Sequence, residues 1–145
     1  MNKSQAVMDL INTCPLVGYD TFFNFIDEEH SDNNTSLFTS SYGTLVKKYV
    51  DGEELLKFQC EIRQVKPMSQ YSNTSENIEQ MQIVQQFLDW INEQGKLGNL
   101  PDFGEKCTVC DMKTPDGVNY PMIVGTNEGK ALYGFPFEIL YTERK

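Results

Sequence analysis

Histidine is nearly absent from this sequence, and the motifs that would accompany histidine or phosphate chemistry are absent as well. His30, the only histidine, lies in the acidic and turn-forming segment 27–34, which is typical of a solvated loop. No G-x-S-x-G nucleophile elbow is present, and the glycines of segment 98–104 lack the G-K-[ST] ending of a phosphate-binding loop. The spacing Asp32-x-Asn34-x-Ser36 lacks the later glycine and glutamate of a calcium loop. We therefore predict a protein that is not an enzyme and has no catalytic, cofactor-binding or metal-binding residues.

Cysteine is also scarce: the chain has 4 cysteines, too few for a disulfide scaffold of this length. Cys107 and Cys110 have C-x-x-C spacing, but a zinc site of this type needs a second ligand pair. On a strand, a separation of three would point the two thiols to opposite faces. We expect reduced thiols that act as small hydrophobic side chains. A small thiol or metal-dependent enzyme that uses Cys107 and Cys110 is the alternative from another functional class.

Basic residues and long apolar runs are both in short supply. The chain has 12 Lys and Arg and 21 Asp and Glu, so its net charge is −9. This charge argues against a protein that binds nucleic acid by neutralising phosphates. An acidic protein can still line a DNA channel, where repulsion keeps the duplex from sticking. No run approaches the roughly 20 apolar residues that span a bilayer. Asp9 interrupts the apolar segment 7–11, which argues against a signal peptide in this segment. We expect one soluble domain, residues 1–145, that acts inside a cell or in something assembled there.

What the sequence does contain is a long amphipathic segment, Asn73 to Phe103. Its apolar residues cover about half of a helical cylinder, wider than the stripe that one packing contact needs. Asn73 or one of the next two residues can cap the helix, while Gly95 and Gly98 can supply the positive φ that ends it. A shorter helix is predicted over Asn2 to Cys14. The apolar face of the long helix comprises Met81, Ile83, Val84, Phe87, Leu88, Trp90 and Ile91.

Alternating patterns predict several strands. Asp51-Gly52 indicates a hairpin between strands at 45–50 and 55–65, the second with one buried and one wet face. A two-residue loop would place Lys47 opposite Leu56; a three-residue loop with a bulge at Gly52 would place Val46 opposite Phe58, and we favour the second. Further strands are predicted at 22–26, 35–40, 106–112 and 135–141, the last an edge strand or bulged because of Pro136. The order predicts an α+β fold: one antiparallel or mixed β-sheet with two main helices packed on one face.

Two regions are candidates for a subunit or partner interface. The wide face of the long helix can flank a second element or a second subunit through Ile83, Phe87 and Trp90. The segment 119–132 is predicted to be a long loop or a loose hairpin, and it carries Tyr120, Met122 and Ile123. A loop folded back on its own core explains these last apolar residues equally well.

From Leu45 onward, about 100 residues contain an ordered set of recognisable features. These are Val46-Lys47-Lys48-Tyr49-Val50-Asp51-Gly52, Phe58-x-Cys60-x-Ile62, Phe87-Leu88-Asp89-Trp90-Ile91, Gly98-Asn99-Leu100-Pro101-Asp102-Phe103-Gly104, Thr114-Pro115-Asp116-Gly117 and the closing strand through Tyr141. In this order and spacing they resemble the small neck proteins of long-tailed bacteriophages of Gram-positive hosts. These proteins are often labelled minor capsid or tail completion proteins and are structurally akin to tail terminators. The resemblance rests on the ordered set and not on one diagnostic motif, and the C-x-x-C is outside it.

This resemblance implies a tail-terminator-like fold and a non-enzymatic protein that forms a ring, commonly a hexamer. The ring would cap the tail tube and join the finished tail to the head connector, with the major tail tube protein and the connector protein as partners. It would be assembled in the cytoplasm of the bacterial host, reside at the head-tail interface of the virion, contact no membrane and meet DNA only as a passing, repelled duplex. The alternative within the same class is a minor capsid or head-completion protein that binds the portal-connector complex.

Overall fold

The described part of the chain folds into one mixed β-sheet with two helices, as the order of sequence patterns predicts. The computed structural model describes residues 3–15, 21–23, 34–67, 74–127 and 130–144. The segment 27–33, with His30 and most of the predicted polar loop, lies outside these residues. The elements are α1 (Lys3–Ile11), β1 (Thr21–Phe23), β2 (Asn34–Lys48), β3 (Glu54–Pro67), α2 (Thr74–Leu97), β4 (Cys107–Lys113), β5 (Met122–Asn127) and β6 (Lys130–Glu143).

The sheet has the strand order β1-β2-β3-β6-β4, with β5 also paired to β6. The short β1 runs parallel to β2, and every other pair is antiparallel. The fold is therefore α+β with a mixed sheet, in agreement with the sequence. The C-terminal strand β6 lies in the interior of the sheet, between β3 on one side and both β4 and β5 on the other.

Pro136 was expected to mark β6 as an edge or bulged strand, and the structure corrects that expectation. On its outer side β6 pairs with β5 through Gly134 and with β4 from Glu138 onward, so residues 135–137 face a gap between the two strands. A proline cannot donate to a strand ladder, and at this gap no donor is required on the outer side. The prediction of an edge strand or a bulge at Pro136 was therefore wrong, since β6 is interior and its pairing with β3 continues through Pro136 without a register shift.

One hydrophobic core lies between the helices and a single face of the sheet. The alternation predicted for β3 is confirmed: Leu56, Phe58, Cys60 and Ile62 are buried, and their partners on β6 are also apolar. On this face the Phe87 ring of α2 lies 5.7 Å from Phe135. The core residues on β6 are Ala131, Tyr133, Phe135, Phe137, Ile139 and Tyr141.

Helix α1 reaches the same face. Val7 and Ile11 are fully buried in the common core, and the Lys3 Nζ lies 5.5 Å from the Tyr141 ring centroid. The helix ends at Ile11, earlier than predicted. The amides of Thr13 and Cys14 donate hydrogen bonds to carbonyl oxygens three residues back, which is the tighter pattern of a 3₁₀ turn. Both helices thus cover one face of the sheet, as the sequence predicts.

The β2–β3 hairpin forms where Asp51-Gly52 predicts it, but with a different register. Neither considered alignment is correct: Leu45 lies opposite Leu56, and Lys48 opposite Glu54. Residues 49–53 form the connection, in which the Tyr49 amide donates to the Glu53 carbonyl at 2.8 Å. A register shift between Leu45 and Lys47 leaves one residue of β2 without a partner on β3. An alignment derived from loop length alone does not include this residue.

Helix α2 does not end at Gly95, which was one of its two predicted stops. It continues to Leu97, and Gly98 ends it with a φ of 80°. Gly95 has a packing role instead: a Cβ at this position would collide with the backbone carbonyl of Met112 on β4. The glycine allows helix and strand to approach closely.

Candidate subunit and partner interfaces

The second predicted interface region is an exposed strand and not a projecting loop. Segment 119–132 forms the loose-hairpin alternative, in which β5 pairs with β6 through Met122–Gly134 and Ile123–Tyr133. Tyr120, Met122 and Ile123 are 74%, 60% and 53% exposed. We call these three residues the β5 patch. They are not folded back on the core, so their apolar surface is available to a partner.

The three helix residues are placed differently. Phe87 is fully buried, so its prediction as an interface residue is wrong: its ring packs on Phe135 and has no surface to offer. Trp90 and Ile83 are half-buried, and the Trp90 ring lies 6.1 Å from Phe87. The width of the apolar face of α2 thus serves mainly the protein's own core and β4.

A second exposed apolar surface was not predicted as an interface. Leu45 and Val46 are about half exposed, Tyr49 is 37% exposed and Val50 is fully exposed. We call these four residues at the end of the β2–β3 hairpin the hairpin patch. The sequence does contain a signal for it, because apolar residues stand at both odd and even positions of 45–50, more than one buried face can absorb.

The two patches lie at opposite corners of the sheet. The register places Leu45 beside Leu56 on β3, and Ile123 beside Tyr133, which pairs with Gln64. The patches are therefore separated by the length of strand from 56 to 64, about 27 Å, and by three strand spacings, about 14 Å. They contain seven of the nine large hydrophobic side chains that are exposed in the described part of the chain.

An acidic groove lies between the C-terminal half of α2 and the segment 111–119, and its lining ends at Asn119, the residue before Tyr120 of the β5 patch. Four carboxylates and two lysines line it, so its walls carry a net charge of −2. Two hydrogen bonds hold the wall in place: Asn92 Oδ1 accepts from the Thr114 amide at 2.9 Å, and the Gln85 side chain donates to the Asn119 carbonyl at 2.9 Å. The charged lining residues are Asp89, Glu93, Lys96, Asp111, Lys113 and Asp116.

Cys107 and Cys110 lie in different environments. Cys107 is half-buried against the core, whereas Cys110 is exposed and occupies the register shift between Val109 and Asp111. Its thiol donates to the Thr108 carbonyl at 3.5 Å. No disulfide joins any of the four cysteines. Burial raises the pKa of Cys60, which disfavours its thiolate. No group of three or more potential ligands capable of holding a metal ion occurs in the described ranges.

A small buried polar cluster lies where β1, β2 and β3 meet. Gln64 is fully buried and donates to Thr35 Oγ1 at 2.9 Å, while its Oε1 has no hydrogen-bond partner among the residues that the structure describes. Lys66 is also buried, and desolvation lowers its pKa. The sequence pattern gave no indication of this cluster. Gln64 and Lys66 occupy the positions on the buried face of β3 that follow Leu56, Phe58, Cys60 and Ile62, where the alternation predicts apolar residues.

Within residues 3–15 and 74–97, where the described helices lie, no helix is both long and apolar enough to cross a membrane. In comparisons with known proteins, the chain matches no protein-family model and has no significant match among curated protein sequences.

Proposed function

We propose that this chain is a structural protein of bacteriophage morphogenesis that forms a ring, caps the tail tube and joins the tail to the head connector. The observation that carries the proposal is the pair of exposed apolar patches at opposite corners of the sheet. A contact between two different surfaces of the same chain is heterologous, and a heterologous contact that closes generates a ring. The ordered resemblance to phage neck proteins supplies the biological setting.

The charge of the chain supports this role. A ring of copies that each carry −9 would surround the channel with negative charge. Such a channel repels the phosphate backbone, so DNA passes during ejection without binding. The protein would be assembled in the host cytoplasm and retained in the virion at the head-tail interface.

Electron microscopy of purified tail tubes, incubated with the chain and then with fresh tube subunits, tests the proposal. We expect ring density at one tube end and arrested elongation from that end. The variant Met122→Asp/Ile123→Asp should lose capping, whereas the matched control Gln86→Asp, on the exposed face of α2, should retain it. Tubes that elongate as fast with the wild-type chain as without it would contradict the proposal.

The head-completion alternative uses the same patches for a different partner. Under that alternative the chain would bind the portal-connector complex and would neither cap tubes nor form a ring. A pull-down against connector and tube proteins, each tested alone, separates the two roles. Binding to the connector without tube capping would favour the alternative.

The thiol-enzyme alternative rests on the exposed Cys110. Replacing Cys107 and Cys110 with serine should leave both folding and tube capping at wild-type levels, since neither thiol belongs to either patch. Loss of capping by a normally folded double variant would revive the alternative.

A further inference from the structure

The hairpin patch and the β5 patch differ in the charges beside them. Residues 44–50 include Lys47 and Lys48 and no carboxylate, giving this strand segment a charge of +2. The acidic groove beside the β5 patch has a net charge of −2. Carboxylates follow at the hairpin turn, where the Asp51 side chain accepts a hydrogen bond from the Glu53 amide at 3.0 Å. The strand side of the hairpin patch thus carries positive charge, whereas the lining of the groove has a negative net charge.

We propose that the hairpin patch of one copy docks on the β5 patch of the next copy, with Lys47 and Lys48 facing the acidic groove. This contact rests on the proposed ring function and identifies the surfaces that would build the ring. The occupant of the β5 patch is a second copy of this chain. Apolar contact supplies most of the stabilisation, and the opposite charges fix which surface meets which.

Strand directions favour the same arrangement. Since β2, β3, β6 and β5 alternate in direction, β2 and β5 run opposite to each other within one copy. A second copy in a similar orientation would present its β2 antiparallel to β5, continuing the pattern of the sheet. Within the described ranges, no strand lies against β5 on the side away from β6. β1 covers β2 only at residues 35–37, far from the hairpin patch.

The lysines also explain how this exposed surface avoids indiscriminate pairing. Lysines and bulges at a strand edge oppose pairing with another edge. Lys47 and the register shift between Leu45 and Lys47 are devices of this kind. Opposite an acidic groove the lysines become favourable, so the same residues select one partner surface.

A complementation experiment tests the contact. One variant, Val46→Asp/Val50→Asp, disables the hairpin patch; the other, Met122→Asp/Ile123→Asp, disables the β5 patch. We expect the wild-type chain to form oligomers at high concentration and each variant alone to remain a monomer of 16.6 kDa by light scattering. A 1:1 mixture should give a dimer and nothing larger, because it contains one intact contact per pair.

Charge reversal gives a second, independent readout. Lys47→Glu/Lys48→Glu should weaken self-association at least tenfold, and mixing this variant with Asp89→Lys/Asp116→Lys should restore association. Gln86→Asp serves as the control and should associate like the wild type. Circular dichroism and urea midpoints equal to those of the wild type establish that each variant is folded.

The outcomes separate the two proposals. A wild-type oligomer with a mixture that stays monomeric, or a β5-patch variant that still dimerises alone, overturns the contact and leaves the ring standing. A wild-type chain that stays monomeric at every concentration also overturns self-association through these patches. The tube-capping experiment then decides separately whether the proposed function survives.

Discussion

The carbonyl oxygen of Met112 occupies the space that a side chain at position 95 would need. Gly95 lies in the last turns of α2, and Met112 is the buried residue of β4, so this contact joins the long helix to the outer strand of the sheet. The Asn92–Thr114 hydrogen bonds lie in the same region. The junction sets the geometry of the acidic groove that adjoins the β5 patch.

Substituting Gly95 by alanine should therefore destabilise the protein. Alanine favours the helix by about 1 kcal/mol relative to glycine, but its Cβ would collide with rigid backbone, and overpacking of this kind costs about 1–3 kcal/mol. We expect a lower midpoint of urea unfolding for Gly95→Ala. The control Gln86→Ala, at an exposed position of the same helix, should change the midpoint little. A Gly95→Ala protein more stable than the wild type would show that α2 and β4 separate easily.

Phe87→Ala should reduce stability strongly, because Phe87 is a core residue. Removing a fully buried phenylalanine ring costs about 3–5 kcal/mol. Ile123→Ala, at the surface, should leave stability within about 0.5 kcal/mol of the wild type and weaken self-association instead. Urea unfolding and light scattering on both variants measure the two effects. The prediction fails if Phe87→Ala folds normally and loses only association.

Asn92→Ala should loosen the wall of the acidic groove. Asn92 accepts from the Thr114 amide at 2.9 Å and donates to its hydroxyl at 3.2 Å, and that hydroxyl donates to the Val118 carbonyl. Thr114 is buried, and leaving its amide without an acceptor costs about 1–3 kcal/mol. Asn92→Asp keeps the acceptor and should recover part of the loss. Hydrogen exchange at the Thr114 amide should accelerate most in Asn92→Ala; equal rates in both variants would argue against this role.

Stability should fall as the pH rises above 10. Burial, together with the charges of Glu143 and Cys107, raises the pKa of Tyr141 from 10.0 to about 12. Between these values the unfolded chain has lost the tyrosine proton while the folded chain keeps it. The contribution is complete below pH 10 and is lost as the pH passes 12.

Other groups modify this profile. Burial also raises the pKa of Cys60, which acts in the same direction. The lowered pKa of Lys66 acts oppositely, since the unfolded chain then binds more protons below pH 10.5. Urea unfolding between pH 8 and pH 12 should show a shallower decline for Tyr141→Phe than for the wild type. Curves that stay parallel across that range would contradict the assignment.

The parts of the fold that follow from a regular spacing of apolar residues or from a local turn signal could be predicted from the sequence. Alternation in β3 gives its buried face because every second residue faces the helices, and the apolar half of α2 gives its packing side. The Asp51-Gly52 turn and the glycine stop at Gly98 are local signals that depend only on backbone conformation. Each of these features is determined by neighbours in the chain.

The errors concern relations between distant segments. Gly95 looks like a helix stop until Met112 is seen beside it, and Pro136 looks like an edge residue until the gap between β4 and β5 is located. Phe87 was assigned to an interface because a helical wheel shows how wide the apolar face is. It does not show how deeply the residues at the middle of that face are buried. The residues of the β5 patch were singled out by their composition, whereas the hairpin patch was recognised only from the exposure of its side chains.

The interior position of β6 has a consequence for the order of folding during synthesis. Residues 34–67 can form the β2–β3 hairpin early, but β4 and β5 have no strand to join until residues 130–143 leave the ribosome. Until then the apolar faces of the earlier strands lack their main partner, and such nascent chains are prone to aggregate. Ribosome-bound chains stalled before residue 130 would therefore depend on chaperones, and release of the β6 segment would complete the sheet in one late, cooperative step.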